Sequence, residues 1–381
     1  MFIIWIISLS LLLVYFLRIV SYLKGWNRSL QTVHGADDHK GISLVIPVRN
    51  EESNIDLLIN DLILQDYPEE LLELIIVDDH SNDNTCEIVR SRLAEHPGLR
   101  LLELDISEQG KKTALHKGIL SASHRIILNT DGDCRIEKNW VSGMVKGFSD
   151  PGIRMITGAV LFEPCNGIFR GMQSLEFLSL TAVTAGAVGL KSPILCNAAN
   201  LAYYREDYLR FTDEQVRLSE SGDDIFLMLW LKKQYPSSML FSSVHGTIVR
   251  TAPSENLLSF AMQRLRWTSK SRFYRDLHMI STALLVYGLN AMIMFLIIAS
   301  FRESGLILLT CLIFLGKSIT DFLILLPVTR HYGKARLLRY FIPLEIIYFV
   351  YVSLIGLFGQ IFSFTWKGRR IPVGKQYKPL G

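Results

Sequence analysis

Ile42–Pro47 (ISLVIP) and Leu72–Val77 (LELIIV) are short runs of aliphatic and β-branched residues that break off into polar chain. The first is followed by Val48-Arg49-Asn50-Glu51 and the second by Asp78-Asp79-His80-Ser81-Asn82-Asp83-Asn84-Thr85. Apolar runs of this length without alternation suit strands buried on both faces of a parallel sheet. Leu99–Leu104 and Arg125–Asn129 repeat the pattern, and residues 53–65, 84–95, 112–121 and 137–148 between and after them have helical spacing. Strand and helix in alternation predict an α/β domain over residues 40–253, built on a doubly wound, mostly parallel sheet. Ligands bind such sheets beyond the carboxyl ends of the strands. The polar residues just past each strand are therefore the candidates for chemistry.

On either side of this domain the chain turns apolar. Phe2–Leu17 is almost wholly apolar and is followed by Arg18, Lys24 and Arg28. With Ile19, Val20 and Leu23 the stretch reaches the roughly 20 residues a spanning helix needs. It shows no basic leader or small-residue cleavage site, so residues 1–24 are expected to be an uncleaved transmembrane anchor. The basic flank places the following domain in the cytoplasm by the positive-inside rule. Three more apolar blocks, Met279–Ser300, Gly305–Pro327 and Phe341–Phe364, predict a C-terminal transmembrane region over 278–364. Lys317 and Asp321 lie four apart in the second block and read as a salt bridge facing the protein interior. Three full crossings would leave the basic tail, residues 365–381, outside, against the same rule. The block with Pro343 and Glu345 is thus a candidate for a re-entrant or interfacial segment. The whole describes an integral membrane protein, expected in the plasma (inner) membrane.

Composition narrows the partners. Over 381 residues the formal net charge is only +4, which makes no case for nucleic acid. The five cysteines stand far apart with no CxxC, against a zinc site or a disulfide framework and in keeping with a reducing compartment.

The strand ends carry acidic turns, including Asn129-Thr130-Asp131-Gly132-Asp133 after the Arg125–Asn129 run. One Asp-rich turn is ordinarily a turn and helix cap, and Asp83 near Thr85 reads that way. Three such turns on successive strands bring several carboxylates to one rim of the sheet. Without obvious basic partners these suit a hard divalent cation, Mg²⁺ or Mn²⁺, which takes a few carboxylate oxygens and completes its shell with phosphate. The glycine between Asp131 and Asp133 allows a tight turn.

Taken in order, SLVIPVRNEESN (43–54), IVDDHSNDNT (76–85), GKKTALHKG (110–118) and NTDGD (129–133) resemble the GT-A domain of the family-2 glycosyltransferases. CNAANLAYYR (Cys196–Arg205), SGDDIFLMLWL (Ser221–Leu231) and QRLRW (Gln263–Trp267) continue the likeness. The resemblance implies that Pro47, Glu51 and Asp79 line a uridine pocket, that Lys111 lies near the donor, that Asp131 contacts the nucleotide and that Asp133 holds the metal. Ser221-Gly222-Asp223-Asp224 stands where the family carries its base motif, usually Glu-Asp. The second acidic position makes Asp224 the expected base, with Asp223 the alternative. An acceptor hydroxyl must lose its proton as it attacks the anomeric carbon, and a nearby carboxylate can take it.

Gln263, Arg266 and Trp267 fall on one face of a helix. Residues 254–277 are expected to form an amphipathic interface helix with its basic groups towards lipid headgroups. Likeness to QxxRW adds a diphosphate contact for Arg266 and acceptor-sugar stacking for Trp267. The function so implied is inverting transfer of a sugar from a UDP-sugar to a lipid, lipid-linked or growing polysaccharide acceptor beside membrane lipids. A nucleotide-binding membrane scaffold without turnover is the alternative, and the Lys317–Asp321 pair also raised a transporter.

Overall fold

The computed structural model describes residues 1–31, 39–214, 223–359, 364–366 and 369–371. The chain divides into two compact units. One comprises Asn27–Glu163 and Ala187–Ala252; the other comprises Met1–Trp26, Pro164–Gly186 and the described residues from Pro253 onward.

The first unit is built on a seven-stranded sheet. Its strands are β1 (Ile42–Val48), β2 (Leu72–Asp78), β3 (Leu99–Glu103), β4 (Ile126–Asn129) and β5 (Met155–Gly158), then, after a short β6 (Val160–Phe162), β7 (Leu201–Tyr204) and β8 (Met239–Ser242). Every residue of β1, β2 and β4 is buried, which is why these segments read as mainly apolar runs without strict alternation. Each buried aliphatic side chain contributes about 1.5–3 kcal/mol. β1 lies parallel to β2 with Val45 opposite Ile75, and parallel to β4 with Val45 opposite Asn129.

The order is β3-β2-β1-β4-β7-β5-β8. β7 runs antiparallel to both of its neighbours, so the sheet is mostly but not wholly parallel. The strand order reverses between β1 and β4, and that switch point is where a sheet of this kind leaves a crevice for a ligand. A second sheet pairs β6 in parallel with β9 (Val249–Thr251).

Phe2–Ser29, Leu277–Ser300, Ser304–His331 and Ala335–Phe358 are long and apolar enough to cross a membrane. Lys317 and Asp321 pair at 2.8 Å as expected, and the bridge belongs to a larger group. Lys317 Nζ also reaches Glu345 at 2.9 Å, Ser318 donates to the same Glu345 oxygen at 3.0 Å, and Tyr15 donates to Asp321. Lys317 is 1% exposed and Glu345 4%. Glu345, in the block read from sequence as a candidate re-entrant or interfacial segment, lies on the helix Phe341–Phe358 as a buried counter-charge. Lys367, Lys375 and Lys378 of the basic tail lie outside the described residues.

The predicted interface helix over 254–277 is shorter, Leu257–Thr268, with Asn256 and Ser259 forming a reciprocal cap. Its basic groups do not all face outward. Arg264 is buried against Glu176 of the helix Ile168–Gly189, and Tyr351 donates to that carboxylate at 2.7 Å. Composition suggested a surface anchor because the partner that neutralises Arg264 stands on a separate helix.

Candidate active site at the strand ends

Beyond the carboxyl end of β2 the chain is held by its own acidic residues. The Asp78 carboxylate accepts from Ser81 N at 3.0 Å and Ser81 Oγ at 2.5 Å, while Asn50 N donates to Ser81 Oγ at 2.9 Å. Asp83 accepts from Thr85 N at 3.1 Å and Thr85 Oγ1 at 2.5 Å, the capping role read from sequence. Burial pushes the Asp83 carboxyl up, but the hydrogen bonds it receives outweigh that and hold it below the usual range.

The central feature is the turn Gly110-Lys111-Lys112 at the start of the helix Lys111–Ser121. Gly110 N donates to Asp79 Oδ1 at 3.0 Å, Lys111 Nζ meets Asp131 Oδ1 at 2.5 Å, and Lys112 Nζ meets Asp223 Oδ1 at 2.6 Å. Three consecutive residues thus touch a carboxylate after β2, one after β4 and one at the start of the helix Asp223–Gln234. Asp79 is also approached by Arg49 Nη1 at 3.9 Å.

The expectation of carboxylates without basic partners is therefore corrected. Asp79, Asp131 and Asp223 each face a cation, because carboxylates crowded at one rim repel unless positive charge is folded in with them. Gly110 has φ 98° and ψ 150°, a region open essentially to glycine. Gly110→Ala is expected to cost about 1–3 kcal/mol in denaturant melts of the full chain, since the turn must strain or shift. An unchanged midpoint would show that the turn relaxes without penalty.

Asp133 is placed differently. It accepts from Thr251 Oγ1 of β9 at 3.0 Å. Burial, then the negative charges of Asp131 and Glu51, push its carboxyl above the usual range. Its own surface is nevertheless open to solvent. Glu51 is buried; its N–H donates to Thr85 Oγ1 at 2.8 Å and its carboxylate accepts from Asn54 at 2.9 Å. A Cβ on Gly132 would stand 2.9 Å from Glu51 Cγ, so glycine is what lets the Asp131–Asp133 turn close against Glu51. Pro47 is buried within β1, opposite Val77.

A surplus of negative charge at Asp133 fits a divalent cation. Among the described residues no three His, Cys, Asp or Glu side chains are grouped as a ready-made metal cage. The chain offers Asp131 and Asp133, and a hard cation there would draw its other ligands from phosphate and water.

Of the base motif, Ser221 and Gly222 lie outside the described residues. Asp223 is buried and Asp224 half-buried in the first turn of their helix. Asp224 Oδ2 accepts from Ala198 N at 3.2 Å. The Ala198 N–H belongs to the 3₁₀ turn Ala198–Asn200, which ends in the fully buried Asn200; its side chain accepts from Trp140 Nε1 at 3.0 Å and donates to the carbonyls of Ala159 and Thr247. Lys112, Thr251 and Asn200 were not singled out in the sequence. Only Lys112 carried a signal, as a second lysine in a helix first turn where the macrodipole disfavours cations.

Gln263, Arg266 and Trp267 belong to the other unit, half-buried on the helix Leu257–Thr268. The Arg264 guanidinium lies 4.2 Å from the Trp267 ring centre and 4.7 Å from that of Phe260. One face of Trp267 is therefore already covered.

A mostly parallel sheet with acidic turns at its switch point, with four long apolar helices among the described residues, defines a GT-A type domain with candidate membrane spans. Residues 43–211 match the Glycosyl transferase family 2 model. It is similar to the glycosyltransferase AglE of Haloferax volcanii, 34% identical over 146 residues, which are 36% of this chain and 48% of the relative. It is also similar to the poly-beta-1,6-N-acetyl-D-glucosamine synthase of Staphylococcus epidermidis, 28% identical over 158 residues, 41% of this chain and 37% of the relative. The chain thus spans about half or less of the curated relatives it matches. The mannosyltransferase PcManGT of Pyrobaculum calidifontis, solved in complex with GDP-Man and Mn²⁺, shares the fold. Its TM-score is 0.62 at 17% identity, over 90% of this chain and 98% of that one.

Proposed function

We propose that this chain is an inverting, metal-dependent glycosyltransferase moving a sugar from a UDP-sugar to a lipid, lipid-linked or growing polysaccharide acceptor at the membrane. In this reading the α/β domain is cytoplasmic and the apolar helices lie in the plasma (inner) membrane. The observation that carries it is the turn 110–112, which draws Asp79, Asp131 and Asp223 to one place.

Glu51, Asp79 and Pro47 would line the nucleotide pocket, with Lys111 and Asp131 beside the donor. Asp133, with Asp131, would hold Mg²⁺ or Mn²⁺, which when bound offsets the charge of a departing diphosphate. Asp224 would take the proton of the acceptor hydroxyl as its oxygen attacks the anomeric carbon opposite the leaving group, so the carbon inverts. Gln263, Arg266 and Trp267 are assigned to diphosphate and acceptor. With one face under Arg264, Trp267 has at most one face for a sugar ring.

The test is nucleoside diphosphate release by purified full-length protein from a panel of UDP-sugars, with and without chelator. PcManGT was solved with GDP-Man, so the panel includes GDP-sugars. Chelator and Asp133→Asn are each expected to abolish release. Because the ionised Asp133 is held at a cost, its neutral variant should melt no lower than the parent. Metal-dependent nucleotide binding with neither release nor transfer would instead favour the non-catalytic scaffold.

A further inference from the structure

Lys111 and Lys112 are neighbours, but successive residues on a helix point about 100° apart. One side chain therefore reaches the turn after β4, and the other reaches the start of the helix Asp223–Gln234. The placement runs against local preference. The first turn of the helix Lys111–Ser121 contains no acidic residue and two lysines, where the macrodipole favours the opposite sign. Departures from local preference of this kind are expected where function demands them. Gly110 adds to the case, because its backbone conformation launches both side chains from one fixed point.

We infer that Lys112 is a positioning residue for the base: by holding Asp223 in an ion pair, it orients the adjoining Asp224 towards the acceptor hydroxyl. The inference rests on the transferase reading above. Asp223 and Asp224 are adjacent carboxylates in one helical turn, and only one can face the reacting hydroxyl. Asp223 is buried with Lys112 Nζ at 2.6 Å, so taking a proton there would sacrifice a buried ion pair. Asp224 is half-buried and is met by the neutral N–H of Ala198 at 3.2 Å, an arrangement that survives proton transfer. Lys112 reaches Asp223 from another helix. The same dipeptide therefore ties the donor side, through Asp131, to the base.

The test uses steady-state kinetics of the full-length protein with a donor on which the parent is active, beside nucleoside diphosphate affinity and a thermal melt. Lys112→Met is expected to lower kcat by about 10–100-fold, the scale of a misplaced catalytic group. Donor KM and nucleotide affinity should move less than about threefold, since ground-state binding is untouched. Lys112→Arg should recover most of kcat. Adding Asp223→Asn to Lys112→Met should be less harmful than the two single losses multiplied, because no stranded charge remains. The inference is overturned if Lys112→Met keeps the parent kcat, or if kcat and melting temperature fall together and Lys112→Arg restores neither. A parent chain inactive on every donor would overturn the transferase reading itself, a result distinct from either.

Discussion

Asp224→Asn is expected to lower the rate of sugar transfer by about 10²–10⁴-fold, the usual worth of a positioned general base. Nucleotide affinity should stay close to that of the parent. The amide keeps an oxygen that can accept from Ala198 N, so the 3.2 Å contact and the helix start survive while the proton acceptor is lost. Asp223→Asn should behave differently. It removes the partner of Lys112, leaving the lysine over-charged in a buried setting, and its loss should be smaller and accompanied by a lower melting temperature. Single-turnover rates at saturating donor separate the two. An Asp224→Asn enzyme with the parent's rate would remove the base assignment, and a larger loss for Asp223→Asn would hand it to the neighbour.

The second large effect is on stability. Lys317 is enclosed by Asp321, Glu345 and the Tyr348 ring, 4.4 Å from its ammonium, on helices long and apolar enough to span a membrane. Lys317→Met fills similar volume but leaves two carboxylates without their cation. Breaking a buried ion pair from one side costs about 3–5 kcal/mol. The full chain in detergent should therefore lose resistance to heat and protease. Combining Lys317→Met with Asp321→Asn and Glu345→Gln should recover much of the loss, because an apolar-for-ionic exchange of the whole group is often near neutral. A single variant as robust as the parent would mean that the group is hydrated, not buried.

The parts of the fold legible in the sequence were those with a local cause. β1, β2 and β4 are buried on both faces, so they show as mainly apolar runs without strict alternation, and the acidic turns after them show as turns. β5, β7 and β8 are four-residue strands whose pairing is decided by distant chain. The antiparallel direction of β7 has no local signature. The acidic members of the site could be named, but their partners could not. Thr251 lies 118 residues from the Asp133 it touches, and Lys112 meets a helix at the far side of the domain's sequence. Arg264 was misread for a related reason: amphipathic spacing reports which residues are polar, not whether a counter-charge waits on another helix.

The hydrogen bond from Tyr15 to Asp321 bears on the order in which the protein is made. Ribosomes deliver Tyr15 some 306 positions before Asp321. Every strand of the large sheet has emerged before that donor meets its acceptor. Until then the Tyr15 hydroxyl lacks the acceptor it has in the finished fold, while the sheet has the time and the sequence it needs to fold on the nascent chain. A ribosome stalled far enough past Ala252 for β8 and β9 to clear its exit tunnel, but before Asp321, should already carry a protease-resistant α/β domain.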